Sequence, residues 1–187
     1  FWGAYSGNHR LMRVGFHAAL VQFALVAGAF SLLAWAFISQ DFSAEYVARN
    51  SSSQLPIEYR ITAVWGAHEG SQLLWVLILS AWTAAVALFS RRLPDAFRAR
   101  VLGVLGLVSA GFLLFTLATS NPFERLVPAA ADGRDLNPLL QDPGMIFHPP
   151  MLYMGYVGFS VAFSFAVAAL IGGNLDATWA RWTRPWT

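Results

Sequence analysis

The sequence predicts an all-α fold, a polytopic integral membrane helical bundle with about four transmembrane helices. Hydrophobic residues make up 57% of the chain and charged residues 12%, whereas an ordinary soluble domain carries about 25% charged residues. Four apolar runs are long enough to cross a bilayer, and the segments between them alternate between arginine-rich and acidic. The 187 residues leave no room for a separate soluble domain, so we expect a single transmembrane domain over residues 1–187.

The four apolar runs define the predicted spans. A helix needs roughly 20 apolar residues to cross about 30 Å of hydrocarbon. The runs that meet this length lie at about residues 16–39, 61–90, 101–119 and 151–172. They leave two longer loops, at about residues 40–60 and 120–150, which are the candidates for function. The second loop is rich in proline, so continuous helix is not expected there.

The distribution of arginine predicts the orientation of the bundle. All twelve basic residues are arginine, and four of them fall within residues 91–100 against one acidic residue, Asp95. The segments before the first span and after the fourth are also basic, while both longer loops carry more acidic than basic residues. Because cytoplasmic loops are enriched in Lys and Arg, we expect both chain ends and residues 91–100 in the cytoplasm and the longer loops outside.

Several classes of function are excluded by composition. Without cysteine, the chain itself forms no disulfide, thiolate metal site or thiol nucleophile. The sequence contains no glycine-rich phosphate loop and no Ser-His-Asp pattern with a credible nucleophile, so we assign no catalytic residue. No nucleic-acid partner is expected, because the arginines lie beside the spans. The chain begins at Phe1 without a signal pattern, which we interpret as an internal piece of a longer protein.

His148 is the strongest candidate for a ligand. It stands at the outer end of the fourth predicted span, directly before Pro149 and Pro150. Proline suits the first turn of a helix, so we place His148 near the N-cap, with the extended backbone that precedes proline. The positive end of the helix keeps the imidazole neutral, which is the form that ligates a metal. The alternative interpretation is a histidine that anchors a loop at the membrane interface.

His68 and Glu69 form an ionisable pair inside the second predicted run. Counted from Ile61, they lie about 10 Å below its outer end, where polar side chains face the bundle interior or water. Two interpretations are open: a hydrogen-bonded pair that joins helices, or a pair that handles protons or a ligand. If the residues from Ile61 to His68 instead lie along the membrane surface, Gly66 and Gly70 permit the bend and Glu69 begins the span.

Four stretches together resemble a known family. They are "WGAHEGSQLLWVLILSAWTAAVAL", "TSNPFERL", "ADGRDLNPLLQDPGMIFHPPMLYMGYVGFSVAF" and "RWTRPWT". Nearly the whole chain resembles the haem-handling family of cytochrome c maturation that contains CcmF, CcmC and CcsA, and within it the CcmF branch. The resemblance implies an N-terminal fragment of a multi-pass protein of the bacterial cell inner membrane, with its functional loops in the periplasm.

The resemblance also implies a function. Such a protein receives haem from the periplasmic haem chaperone CcmE and promotes its covalent attachment to apocytochrome c, as a haem lyase component of the cytochrome c synthetase type. A CcmH-type thiol reductase and membrane lipid are further implied partners. His148 matches the first of two periplasmic histidines that ligate haem iron and flank a Trp-rich segment, which lies beyond the C-terminal end. The ligands of the family's b-type haem are also implied to lie outside this chain.

The "WGAHEG" stretch is a signature of this family without an assigned role. Our hypothesis is that His68, Glu69 and Trp65 order the outer end of the second span near the haem pocket and do not bind iron. Three alternatives remain: an NrfE-type paralogue, a membrane scaffold without direct haem ligation, and a respiratory-complex subunit that uses the pair as a proton relay. A relay needs further ionisable groups across the bilayer, and the third and fourth spans supply no acidic or basic residue.

Overall fold

The computed structural model describes residues 1–173 and 177–186. In chain order its helices are α1 (Trp2–Ser6), α2 (His9–Ile38), α3 (Glu45–Asn50), α4 (Ile57–Ala63), α5 (His68–Phe89), α6 (Asp95–Thr119), α7 (Pro143–Gly172) and α8 (Ala177–Thr183), with short 3₁₀ helices at Pro138–Leu140 and Arg184–Trp186. These described ranges contain no β-strand, only an isolated bridge between Ala44 and Arg125. The predicted all-α fold is confirmed.

Among the described residues, four helices have the length and hydropathy of membrane spans. They are α2, α5, α6 and α7, with 30, 22, 25 and 30 residues, and each contains a window of mean hydropathy 1.9 or higher. At about 1.5 Å per residue, even the shortest of them is long enough to cross the hydrocarbon core. The predicted bundle of four transmembrane helices is therefore confirmed.

Three of the long helices begin before the apolar runs that predict them, and α2 and α6 do so through charged first turns. α2 starts at His9 rather than at residue 16, and α6 starts at Asp95 rather than at residue 101. At the start of α6, the main-chain N–H of Arg98 donates to the carbonyl oxygen of Pro94 at 3.0 Å, and the Arg98 guanidinium pairs with Asp95 at 3.0 Å. Hydropathy detects only the apolar part of a helix, so charged first turns extend these helices beyond the predicted spans.

The second predicted span divides into two helices. α4 ends at Ala63 and α5 begins at His68, so residues 64–67 form a corner between them. His68 and Glu69 lie in the first turn of α5, and their expected depth of about 10 Å inside a continuous span is wrong. The helix boundaries agree with the alternative in which the residues before His68 lie outside the span.

The fourth long helix begins eight residues before its predicted span, at Pro143 instead of residue 151. The Asp142 carboxylate accepts a hydrogen bond from the main-chain N–H of Gly144 at 2.7 Å. An aspartate cap followed by proline at the first helical position is a favourable helix start, so the helix begins at "DPG". His148 is therefore the sixth residue of α7 and not its N-cap, and the two prolines after it lie inside the helix.

The chain groups into two compact units, where the sequence alone indicates one domain. The first unit comprises Phe1–Leu25, Ile78–Phe112 and Met154–Thr187, and the second comprises Val26–Leu77 and Leu113–Tyr153. In the core of the first, the buried rings of Phe97 and Phe165 lie 5.8 Å apart. In the core of the second, the buried rings of Phe37 and Tyr46 meet edge-on at 5.4 Å. Each unit thus has an aromatic core of its own.

Candidate functional site

The two longer loops are bound to each other within the second unit. Arg125 donates to the Asp41 carboxylate at 2.7 Å and to the Ser43 hydroxyl oxygen at 2.6 Å. The main-chain N–H of Glu45 donates to the carbonyl oxygen of Glu124 at 2.9 Å. Hydrogen bonds from the Ser43 hydroxyl and from Arg125 lower the pKa of Asp41 below its ordinary value. The beginning of the second loop is therefore held by polar contacts to the first.

A second set of contacts joins the same loops around Asp132. Its carboxylate accepts from the Ser53 hydroxyl at 2.6 Å, from the Ser53 main-chain N–H at 2.9 Å and from the Gly133 N–H at 2.7 Å. These bonds, the Ser53 hydroxyl foremost, lower the pKa of Asp132. A lowered pKa means that the ionised carboxylate stabilises the fold above the ordinary aspartate pKa, and that this contribution is lost as the pH falls through the lowered value.

The corner between α4 and α5 is organised by the Tyr46 hydroxyl. It accepts from the main-chain N–H of Ala67 at 3.2 Å and lies 3.2 Å from the carbonyl oxygen of Val64, to which it donates. Burial raises the pKa of Tyr46 well above its ordinary value, so the hydroxyl keeps the proton that this donation needs. Gly70 packs against the same corner, and a Cβ at this position would lie 1.7 Å from the Val64 oxygen. The first turn of α5 therefore needs glycine here.

His68 is hydrogen-bonded at the start of α5. Its Nε2 lies 2.7 Å from the Ser120 hydroxyl oxygen, and its ring meets Phe115 edge-on at a centroid distance of 6.1 Å. These contacts join the first turn of α5 to the end of α6. Glu69 is half-buried in the same turn, where its negative charge complements the positive end of the helix. The two side chains thus meet different surroundings.

Trp65 contacts the first turns of α7. Its indole N–H donates to the main-chain carbonyl oxygen of Met145 at 3.0 Å. In an α-helix that carbonyl bonds to the N–H four residues later, but residue 149 is proline and has no N–H to donate. The indole of Trp65 therefore takes the place of the missing donor. Met145 stands three residues before His148, so Trp65 contacts the turns that carry the histidine.

Replacing Trp65 with phenylalanine is expected to loosen the first turns of α7, because the Met145 carbonyl then loses its donor. A buried acceptor left without a partner costs about 1–3 kcal/mol. Hydrogen–deuterium exchange in the full-length protein checks this as faster exchange at residues 145–148. Trp35→Phe is the matched control, since Trp35 lies in the same unit and is 66% exposed. Equal exchange in wild type and Trp65→Phe would show that the indole does not support this helix.

A further contact between α5 and α7 was missed from the sequence. The Ser71 and Tyr153 hydroxyl oxygens lie 2.5 Å apart, and the Tyr153 ring meets Trp75 at a centroid distance of 5.3 Å. The partners are 82 residues apart in the chain, so no local pattern connects them. Like the Trp65 contact, this one fixes the position of α7 beside α5 in the second unit.

The exposed face of α7 carries His148 among apolar side chains. Phe147, Met151 and Leu152 are 68%, 70% and 43% exposed, and Gly144 and His148 are exposed beside them. These positions recur at intervals of three and four residues, so they form one strip along the helix, which we call the His148 stripe. Among residues 1–173 and 177–186, no group hydrogen-bonds to the His148 imidazole. Its nitrogens are free to bind a ligand.

The described part of the chain supplies one candidate metal ligand at this surface. No group of three or more histidine, aspartate or glutamate side chains in that part is arranged to hold a metal ion. The predicted site residues also do not converge: Trp65 contacts the helix of His148, while His68 contacts Ser120 and Phe115. The His148 stripe therefore offers a single unbonded imidazole among exposed apolar side chains.

Comparison with known proteins finds relatives over nearly the whole chain. A family model described as cytochrome C assembly protein matches residues 65–187. The cytochrome c-type biogenesis protein CcmF of Pseudomonas aeruginosa is 63% identical over 186 residues, which are 99% of this chain and 28% of that protein. The cytochrome c-type biogenesis protein NrfE of Haemophilus influenzae is 45% identical over 99% of this chain and 29% of its own length.

A solved structure is similar in fold as well as in sequence. The structure titled cytochrome c heme lyase CcmF matches with a TM-score of 0.84 and 30% sequence identity, over 98% of this chain and 28% of that chain. The chain therefore spans less than a third of the length of each of these relatives.

Proposed function

Because the chain belongs to the cytochrome c assembly protein family, we propose that it acts in cytochrome c biogenesis as the part of a haem-handling protein that presents His148 to haem. The family resemblance seen in the sequence is confirmed, and four long apolar helices make the chain a multi-pass membrane protein. The observation that carries the proposal is the His148 stripe, a free imidazole on an exposed apolar surface.

Haem fits the chemistry of this surface as an incoming substrate. One face of a porphyrin is large and apolar, and Phe147 and Met151 offer exposed apolar contacts on either side of the imidazole. Histidine is the commonest protein ligand of haem iron and binds in its neutral form. We assign to His148 one axial position of the iron.

We assign the second ligand of the haem iron to a residue outside the His148 stripe. The other three histidines each have a partner: His68 bonds to Ser120, His9 pairs with Asp95 at 3.3 Å, and His17 Nδ1 lies 3.0 Å from the Arg13 carbonyl oxygen. The family resemblance implies a second periplasmic histidine after a Trp-rich segment. The family resemblance also implies that the ligands of a resident b-type haem lie outside this chain, so we assign no step of the mechanism to that group.

The proposed chemistry divides the work between this protein and its substrates. Attachment adds the S–H of an acceptor cysteine across a haem vinyl group, with the hydrogen going to one carbon and the sulfur to the other. The protein's part is to hold and orient the iron, because this chain has no cysteine. We propose the haem chaperone CcmE as the donor, apocytochrome c as the acceptor and a CcmH-type thiol reductase as the source of reduced acceptor thiols.

The proposed location follows from the arginines. Four arginines lie within residues 91–100, and positively charged loops stay in the cytoplasm. We place the protein in the bacterial inner membrane with both longer loops, and with them the His148 stripe, on the periplasmic side. Haem and apocytochrome then meet the stripe in the compartment where cytochromes c are assembled.

Two alternatives keep the same surface but change its use. An NrfE-type subunit would perform the same chemistry for a different acceptor, and the greater identity to CcmF, 63% against 45%, favours the CcmF type. A scaffold would dock the chaperone and the apocytochrome without ligating iron. The free state of the His148 imidazole favours ligation over the scaffold. The respiratory relay is disfavoured because His68 bonds to a serine hydroxyl and not to a further acid or base.

Replacing His148 with alanine in the full-length protein is expected to abolish capture of haem from the haem-loaded chaperone. The imidazole supplies the iron–nitrogen bond, and alanine leaves the apolar stripe without a ligand. The visible absorption spectrum of the co-purified complex measures this loss. His17→Ala is the matched control and should retain the haem signal, because His17 belongs to the first unit and its Nδ1 lies 3.0 Å from the Arg13 carbonyl oxygen. In His68→Ala, a haem spectrum unchanged from wild type would remove the proposed pocket-ordering role of that residue. A spectrum unchanged by His148→Ala would reject ligation and favour the scaffold.

A further inference from the structure

Two cavities in the first unit share a wall formed by Pro185 and Trp186. One has a volume of about 450 Å³ and is lined by apolar residues of α5 and α7, among them Trp82, Gly155 and Phe159. The other has a volume of about 550 Å³, and its lining includes two arginines, Arg92 and Arg181, together with Phe89 and Trp182. The shared wall makes the two cavities neighbours, one apolar and one basic.

The first cavity is apolar because its main polar group is already used. The indole N–H of Trp82 donates to the carbonyl oxygen of Met154 at 3.1 Å, so it offers no hydrogen bond to an occupant. A Cβ at Gly155 would have no heavy atom within 4 Å, which leaves an open groove along α7. Phe159 is 72% exposed beside it. A hydrocarbon chain matches a groove of this kind.

The second cavity offers positive charge without a bound acid. Arg92 and Arg181 are exposed, and neither forms an ion pair with an acidic residue in the described ranges 1–173 and 177–186. The aromatic side chains around them are held in place: Trp182 packs on Phe97 at 5.1 Å, and Trp186 stacks on the ring of Phe165 at 6.1 Å. Guanidinium groups bind phosphate oxygens in a fixed fork geometry.

We propose that the two cavities form one binding site for an anionic glycerophospholipid. The phosphate of the headgroup binds Arg92 and Arg181, and an acyl chain lies in the groove past Trp186 along Gly155. Basic pockets beside transmembrane helices select anionic headgroups in this way, and tryptophan is favoured at the same interfacial depth. A free phosphate would leave the apolar cavity unused, and a zwitterionic lipid would leave the two cations without a net negative partner. This site is independent of His148 and of haem.

The test uses the full-length protein in detergent with dioleoylphosphatidylglycerol and dioleoylphosphatidylcholine as probes. In native mass spectrometry, the protein should retain more phosphatidylglycerol than phosphatidylcholine. In thermal melting, phosphatidylglycerol should raise the midpoint more than phosphatidylcholine does. In the double variant Arg92→Gln and Arg181→Gln, this preference should fall by about tenfold or more, as expected for lost charge-assisted hydrogen bonds. The double variant Arg10→Gln and Arg100→Gln removes the same charge from residues that line neither cavity, and it should keep the preference.

A second variant tests the acyl groove separately. Gly155→Leu fills open space rather than a packed core, so the protein should fold and bind both lipids more weakly. Glycerol 3-phosphate, which has the headgroup phosphate but no acyl chains, should not stabilise the wild type. Equal retention of the two lipids would overturn the proposal, and so would full stabilisation by glycerol 3-phosphate. A photo-crosslinker at position 155 that captures another segment of the protein instead of lipid would also overturn it.

Discussion

Replacing Gly70 with alanine is expected to disrupt the corner between α4 and α5. The added Cβ would lie 1.7 Å from the Val64 carbonyl oxygen and 2.7 Å from the Tyr46 hydroxyl oxygen, so main chain must move to admit it. Overpacking of this kind costs about 1–3 kcal/mol, occasionally more. The movement also separates Tyr46 from the two main-chain groups that it binds. We expect a lower thermal midpoint and a lower folded yield of the full-length protein.

Gly28→Ala is the matched control for this prediction. Gly28 lies on α2 in the same unit, and a Cβ there would have no heavy atom within 4 Å. Alanine in a helix is favoured over glycine by about 1 kcal/mol, so this variant should be as stable as wild type or slightly more stable. If Gly70→Ala melts at the same temperature as Gly28→Ala, the close approach of Gly70 to the Val64 carbonyl oxygen is contradicted.

Replacing Gly133 with alanine is expected to separate the two longer loops. A Cβ at this position would lie 1.9 Å from the carbonyl oxygen of Ser51. Two neighbouring hydrogen bonds hold the second loop against the first. The Arg134 N–H donates to the Ala48 oxygen at 2.8 Å, and the Asp135 N–H donates to the Ser51 oxygen at 3.0 Å. Because the loop must move outward, trypsin should cleave after Arg134 several times faster than in wild type.

The control for the loop variant is Ala131→Val, two residues away. Ala131 is exposed, so valine adds volume to the same loop without entering a contact. Its rate of cleavage by trypsin should match that of wild type. Faster cleavage in both variants would mean that the loop responds to any substitution, and equal rates in Gly133→Ala and wild type would contradict the close approach to Ser51.

Both glycines matter to the proposed site through a continuous series of contacts in the second unit. The loops bind each other at Asp41 and Asp132, Tyr46 in the first loop organises the corner, and Trp65 in that corner supplies the donor that Pro149 lacks. α7 is thereby held from its first turns onward. The His148 imidazole is exposed and unbonded, yet it stands on a helix that is held through residues more than a hundred positions earlier in the chain, Asp41 and Tyr46 among them.

The membrane helices could be predicted because the physical signal is local. An apolar run of about 20 residues usually forms a membrane-spanning helix, and the four runs correspond to α2, α5, α6 and α7. The predicted N-cap position of His148 was wrong, because Asp142 and Pro143 start the helix earlier in the chain. Hydropathy does not register a polar helix start, so the capping by Asp142 and the charged first turn of α6 moved the boundaries outward.

The contacts that position the site could not be predicted from local patterns. Trp65 meets Met145 across 80 residues, and His68 meets Ser120 across 52. Which residues form these contacts depends on how the helices pack, and helix packing cannot be deduced from the local pattern of a single sequence. One signal was available in retrospect: a proline inside a helix leaves a carbonyl without its donor, and a nearby indole N–H is a natural replacement. The hypothesis that His68 and Trp65 order the site stays a prediction for the variants described above.

Ligation of haem iron by His148 can be measured by chemical rescue. The full-length His148→Gly variant would be purified with the haem-loaded chaperone, and its visible spectrum recorded as imidazole is added. We expect that the variant loses the delivered haem and that free imidazole, occupying the vacated position, restores a spectrum like that of wild type. A variant that keeps its haem without imidazole, or a folded variant whose lost haem signal imidazole does not restore, would contradict ligation by His148.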